Sequence, residues 1–150
     1  MKLIPHTDLF SYPGDCRIIT VNTVGAMGAG IAKTFRDTYP KQYWQYKRAC
    51  KAGYFHMGVP ELITTDDGFK WLLFPTKAHW RNPSEYRYLE QGLLYLIQNI
   101  GESGYVEPNW HLIFPPLGCG HGGLDFNVVR QMLESFDGHV PNPITVIAPP

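Results

Sequence analysis

An excess of charge of either sign is missing from this sequence: 13 Lys and Arg balance 13 Asp and Glu over 150 residues. That balance removes the strong basic surplus with which many proteins gain nucleic-acid affinity through counterion release, and leaves only a local patch for such a partner. Paired cysteines are missing too. Cys16, Cys50 and Cys119 are odd in number and widely spaced, with no CxxC and no Cys/His pair at zinc spacing, so neither a disulfide framework nor a metal site is expected. No run approaches the about 20 apolar residues of a membrane span, and the start, MKLIPHTDLF, has no sustained apolar stretch. These absences predict reduced thiols and a cytoplasmic protein without membrane contact. Repeats, low-complexity tracts and linkers are also absent, so a single domain over residues 1–150 is expected. At this length about two-thirds of the unfolded surface can be buried.

The apolar residues that are present fall into strands and helices in alternation. RIITVNT, Arg17 to Thr23, is β-branched and almost continuously apolar, which suits a strand covered on both faces. GAMGAG follows, then a helix with Ile31, Phe35 and Tyr39 at helical spacing until Pro40. KQYWQYKRACKAG is a second helix ending at Gly53, a residue that takes the left-handed conformation without a Cβ penalty. ELITT and FKWLLFPT, parted by Asp66-Asp67-Gly68, predict a hairpin. Asn82, Pro83 and Glu85 carry a helix-start signature, with Leu89, Leu93, Leu96 and Ile100 as the apolar stripe beyond it. WHLIFPPL is a further buried strand, Asp125 caps the helix FNVVRQMLESF, and ITVIA is the final strand. The alternation predicts an α/β fold with a mixed, mostly parallel sheet between helices.

Three segments at strand ends carry chemistry. Gly25, Gly28 and Gly30 stand just before a helix, where backbone amides and the helix dipole favour a diphosphate. Asn22 lies where strand becomes loop and can donate to or accept from a sugar hydroxyl. The same residues would also serve a tight turn capped by Asn22. Gly118, Gly120 and Gly123 satisfy GxGxxG between strand and helix. The acid that a dinucleotide site needs about 20 residues later is missing, so a phosphate loop is expected and a nicotinamide-cofactor domain is not. Lys77, in FPTKAHW, is flanked by Phe74, His79 and Trp80. Partly desolvated there, it could act as acid, base or amine nucleophile; fully solvated, it would be an ordinary loop lysine. Cys119 next to His121 lacks an orienting third group for thiol catalysis. Tyr43, Trp44 and Tyr46 read as packing residues rather than a base-stacking platform.

In their order, DLF near the start, VNTVGAMGAGIAKTF, FPTKAHW, NPSEYRYLEQGL and PPLGCGHGGLD resemble the macrodomain family over essentially the whole chain. More narrowly they are similar to the branch holding terminal ADP-ribose protein glycohydrolase and the bacterial DNA ADP-ribosyl glycohydrolase antitoxin. The resemblance implies a three-layer α/β/α fold with ADP-ribose in a surface cleft as ligand or product, and no other cofactor. It implies adenine at Asp8 and Leu9, and the diphosphate between two loops: Gly25, Met27, Gly28, Ala29 and Gly30 on one side, Gly118, Cys119, Gly120, His121, Gly122 and Gly123 on the other. Asn22 would meet the distal ribose and Lys77 its anomeric carbon, with Lys77 and Asn22 as the catalytic pair and Thr76 a further residue in contact with ADP-ribose. The animal enzyme has an acid soon after GCG; here Gly122 stands in that place and Asp125 follows later, where capping is its expected role.

The implied activity is hydrolysis of an ADP-ribosyl bond, on a thymine or guanine base of single-stranded DNA or on an acidic protein side chain, by a monomer. A reader that binds ADP-ribose without cleaving it, and a phosphatase acting on ADP-ribose 1″-phosphate, are the competing expectations.

Overall fold

Apolar strands covered on both faces and joined through helices pair in parallel, and the computed structural model, which describes residues 1–150, has this arrangement. The elements are β1 (Lys2–Ile4), β2 (Cys16–Asn22), α1 (Gly30–Thr38), α2 (Pro40–Lys51), β3 (Glu61–Thr64), β4 (Lys70–Lys77), α3 (Tyr86–Asn99), β5 (Leu112–Phe114), α4 (Phe126–Asp137) and β6 (Ile144–Ile147). One six-stranded sheet has the order β1-β6-β5-β2-β4-β3. All neighbours are parallel except β3 and β4. Those two form the expected hairpin, with Gly68 at φ +86° in its turn.

Alternation along the strands divides the core into two layers. Ile18, Leu72, Phe74, Leu112 and Phe114 pack with Leu89, Leu93 and Leu96 of α3 and Val129, Leu133 and Phe136 of α4. Ile19, Val21, Trp71, Leu73 and Ile113 pack with Phe35 of α1, Tyr39 between the two helices and Tyr46 of α2. Each of these buried side chains contributes about 1.5–3 kcal/mol by leaving water. Helices thus cover both faces of the sheet, the three-layer α/β/α arrangement expected above. No helix is long and apolar enough to cross a membrane.

Local signals explain most boundaries. Pro40 ends α1 and also opens α2, where its missing N–H costs nothing. Gly53, at φ +78°, follows the C-cap Ala52. The Asp125 carboxylate accepts the Asn127 N–H at 2.8 Å and caps α4. The strand read as WHLIFPPL is shorter, Leu112–Phe114, and two other departures from the sequence reading have a tertiary cause. β1 was not anticipated, because Lys2 and Leu3 are exposed and only pairing with β6, Leu3 against Val146, makes this segment a strand. The third helix begins at Tyr86, with Glu85 extended at φ −128° and ψ 141°, rather than just after Asn82. The cause is tertiary: the Ser84 N–H donates to the Gly122 carbonyl at 3.0 Å and the Asn82 N–H to the His79 carbonyl at 3.0 Å, which holds this backbone out of the helix.

The topology also creates a crevice. From β2 the chain leaves toward the α1–α2 layer, and from the adjacent β5 it leaves toward the α4 layer. Loops that depart to opposite faces from neighbouring parallel strands open a gap at the strands' carboxyl ends, the position where open α/β sheets bind ligands.

Candidate active site

The loop after β2 forms one wall of this crevice, and Asn22 builds it. Its Oδ1 accepts the N–H groups of Val24 and Ala26, each at 3.2 Å, while its Nδ2 donates to the Ala26 carbonyl at 2.8 Å. Tyr46, from α2, donates its hydroxyl to the Asn22 carbonyl at 2.6 Å and lies 3.0 Å from Oδ1. Burial pushes the Tyr46 phenol far above its ordinary value, so it stays an O–H donor. One Nδ2 hydrogen of Asn22 remains for a ligand. Gly25, at φ +82°, takes a conformation that side chains resist, and an added Cβ would press on the Lys47 backbone at 3.1 Å. Met27 is buried below the loop, whereas Gly28, Ala29 and Gly30 are exposed. A Cβ on Gly28 or Gly30 would meet no protein atom, so their faces are open.

The start of α1 suits an anion. Its N-cap residue Ala29 makes no side-chain cap and no acid lies in the first turn. The positive end of this helix is therefore uncompensated by the protein. α4 differs, because Asp125 already occupies its N-terminus.

At the end of β2 the register with β4 shifts: Val21 pairs with Pro75 but Asn22 pairs with Lys77. The extra residue, Thr76, is buried. Such a bulge re-aims the side chains that follow it, and it sets Lys77 beside Asn22. The Lys77 carbonyl accepts the Thr23 N–H at 3.2 Å, and the Thr23 hydroxyl donates to the Ala78 carbonyl at 2.9 Å. The Lys77 ammonium then crosses to the second loop, donating to the His121 carbonyl at 3.2 Å. Asn22, Thr76, Lys77 and His121 are thus held in one neighbourhood by backbone pairing and one side-chain bridge.

Glycine serves two purposes in the second loop. Gly118, at φ +71°, and Gly122 have no room for a Cβ: at Gly118 it would strike Leu124, and at Gly122 the Gly118 carbonyl and the Ser84 hydroxyl. Gly120 and Gly123 face open space. The first pair makes the turn and the second leaves backbone approachable. Cys119 is half-buried, with its thiol 3.4 Å from the Leu117 carbonyl. Burial, and secondarily the Asp125 charge, pushes that thiol up to about 11, so it is protonated and a poor nucleophile at neutral pH.

Asp8 lies in the loop after β1, exposed, with its carboxylate accepting the Phe10 N–H at 3.0 Å. Leu9 is buried in the same layer as Val21 and Met27, so this loop folds back against the base of the first glycine loop. Two contributors were not foreseen. Tyr46 anchors Asn22, and Ser84 fixes the second loop through its backbone; neither role has a signature in sequence, since both depend on residues more than 20 positions away.

Comparison with known proteins agrees with this fold. A protein named DNA ADP-ribosyl glycohydrolase from Mycobacterium tuberculosis is 40% identical over 146 residues, covering 95% of this chain and 40% of that relative. The chain spans about two-fifths of the length of the curated relatives it matches there. Among solved structures, the macrodomain of Mycobacterium tuberculosis DarG superposes with a TM-score of 0.85 at 38% identity, covering 98% of each chain. Thermosipho africanus DarTG, solved in complex with ADP-ribose, superposes with a TM-score of 0.85 at 31% identity, over 99% of this chain and 42% of that one. The Macro domain model matches residues 18–133, a span that runs from β2 into α4 and holds both glycine loops and Lys77. The chain therefore belongs to the Macro domain family.

Proposed function

We propose that this chain is an ADP-ribosyl glycohydrolase that removes ADP-ribose from a base of single-stranded DNA, holding the diphosphate between the two glycine loops and using Lys77 at the bond that breaks. The observation that carries the reading is the ammonium of Lys77, tied to the His121 carbonyl at 3.2 Å and paired in register with Asn22. A cation fixed at the meeting point of both loops lies at the end of the crevice where a distal ribose would follow the diphosphate. The names of the relatives support the substrate class. A Thermosipho africanus relative named as a fusion of DNA ADP-ribosyl transferase and glycohydrolase supports a transferase of that kind as the source of the modification. In this reading the protein works as a monomer in the cytoplasm, a compartment that suits its three free cysteines.

The bond to be broken joins C1″ of the distal ribose to a base nitrogen. Water supplies oxygen to C1″, the base leaves with the bonding electron pair, and a proton must reach it. Lys77 as an ammonium gives that proton and regains one from the attacking water. By the second route, the sugar ring opens, the neutral Lys77 amine adds to C1″, the base leaves with the C1″–N electron pair and a proton from that amine, and water hydrolyses the resulting imine to free ADP-ribose and the amine. Backbone amides around the diphosphate contribute by holding the sugar in place before reaction.

The test is to incubate wild type and Lys77→Ala with ADP-ribosylated single-stranded DNA and with glutamate-ADP-ribosylated protein, and to measure released ADP-ribose alongside affinity for free ADP-ribose. Release from DNA that falls at least about 100-fold in the variant, with affinity retained, is expected. Borohydride trapping of a lysine–ribose adduct selects the amine route, and its failure the proton route. Binding without release from either substrate makes the chain a reader, and phosphate release from ADP-ribose 1″-phosphate makes it a phosphatase.

A further inference from the structure

Charge that cancels over the whole chain does not cancel locally. Residues 30–51 hold Lys33, Arg36, Lys41, Lys47, Arg48 and Lys51 against the single acid Asp37. Between these helices and the first glycine loop lies a cleft of about 370 Å³, lined by residues 24–28, Arg36, Tyr43, Lys47, His79 and Trp80. Cations and rings alternate around it. The Lys47 ammonium is 5.9 Å from the Tyr43 ring and 5.2 Å from that of Trp44, and the Arg36 guanidinium is 6.0 Å from Tyr43. On the opposite rim, His79 lies against Trp80 at 5.4 Å, and the Arg81 guanidinium sits 4.7 Å over the same indole.

Among the cations at this cleft only Arg36 has a carboxylate partner, its chain neighbour Asp37 at 3.3 Å on the surface. Trp80 is 51% exposed and Trp44 54%, and neither Lys47 nor Arg81 has a carboxylate partner. Exposed indoles next to unpaired cations are the combination that takes single-stranded nucleic acid: bases stack on the rings and phosphates meet the charges. The cleft also has the right position. Trp80 stands three positions after Lys77, a span of at most about 11 Å, so a nucleotide next to one bonded at Lys77 falls within reach of the rim.

We infer that this cleft seats the DNA strand flanking the modified nucleotide, with Arg36 and Lys47 at its phosphates and an unpaired base stacked on Trp80. This inference rests on the glycohydrolase reading above and adds to it a surface for the strand that borders the first glycine loop.

The experiment compares two substrates, an ADP-ribosylated single-stranded 10-mer and the corresponding ADP-ribosylated mononucleoside, and adds binding of a labelled, unmodified thymidine 10-mer. For the double variant Arg36→Glu/Lys47→Glu, kcat/KM on the 10-mer falls and its salt slope shrinks by about two, one for each lost phosphate contact. Turnover of the mononucleoside and affinity for free ADP-ribose stay at wild-type level, which also establishes that the variant is folded. Trp80→Ala raises KM for the 10-mer about 5- to 100-fold, the range of one base–aromatic stack, and Trp80→Phe restores most of it. Equal kcat/KM of wild type and both variants on the 10-mer would overturn the cleft while leaving the glycohydrolase standing. If wild type releases nothing from either substrate, yet binds the unmodified 10-mer in a way the charge variant loses, the cleft stands and the glycohydrolase reading falls. Absence of both release and binding overturns both.

Discussion

Gly120 and Gly122 are two positions apart in one loop and answer to different forces. A Cβ at Gly120 meets nothing, whereas one at Gly122 runs into the Gly118 carbonyl and the Ser84 hydroxyl. Gly120→Val is therefore expected to unfold at nearly the wild-type temperature but to lose ADP-ribose affinity, because the added branch fills the space where ligand meets backbone. Gly122→Ala is expected to lose about 1–3 kcal/mol of stability through overpacking. Calorimetric unfolding and titration of ADP-ribose into both variants separate the two effects; a Gly120→Val protein that binds normally would remove that residue from the site. Cys119 offers a third comparison. Its thiol is held protonated by burial, so Cys119→Ala should keep the wild-type rate, and abolished turnover in a folded variant would restore the thiol as a participant.

Helix α2 acts as the support of the first glycine loop. Its Tyr46 hydroxyl binds Asn22, and Asn22 in turn gathers the loop amides. Tyr46→Phe deletes the buried hydrogen bonding to Asn22, at a cost of about 0.5–1.5 kcal/mol. The expected result is a lower unfolding temperature together with weaker ADP-ribose binding, although Tyr46 lies behind the loop. Unchanged affinity would show that the loop keeps its shape without α2. The same arrangement qualifies any experiment on Asn22: its replacement removes loop bonds as well as the spare Nδ2 hydrogen, so a loss of activity in Asn22→Ala has to be read beside its unfolding curve.

Over the whole molecule, burial of thiols shapes stability at alkaline pH. Cys16 is completely buried in β2, and desolvation, with the nearby Asp15 charge next, pushes its thiol up to about 12 from an ordinary 9.0. Between those values the folded chain keeps a proton that the unfolded chain releases. Stability is thus fully present below about pH 9 and falls as the pH rises toward 12, by up to about 1.4 kcal/mol per pH unit for this group. Unfolding by denaturant across pH 8 to 11 should show a shallower decline for Cys16→Ala than for wild type; parallel declines would assign the alkaline loss to other groups. The uneven charge distribution is a second molecular property, since a chain that is neutral in total still presents a basic α1–α2 face to an anionic strand.

Sequence by itself determined the layers and which loops border the candidate site. The almost continuous apolar run of residues 17–23 and the stripe Leu89, Leu93, Leu96 and Ile100 mark a covered strand and a helix face through purely local geometry, and glycines before a helix mark open backbone in any context. Asp125 and Gly53 were legible as caps because a cap contacts its own helix. What the tertiary structure alone decided are contacts between segments far apart in the chain. β1 becomes a strand only against β6, the start of α3 is delayed by a bond from Ser84 to Gly122, and Lys77 comes beside Asn22 through a bulge. Tyr43 and Trp44 read in sequence as packing; in the fold their rings flank Lys47 at a cleft that also draws on Trp80. Such pairings leave no mark at fixed spacing, because they depend on where the sheet brings distant loops rather than on the period of the chain that carries them.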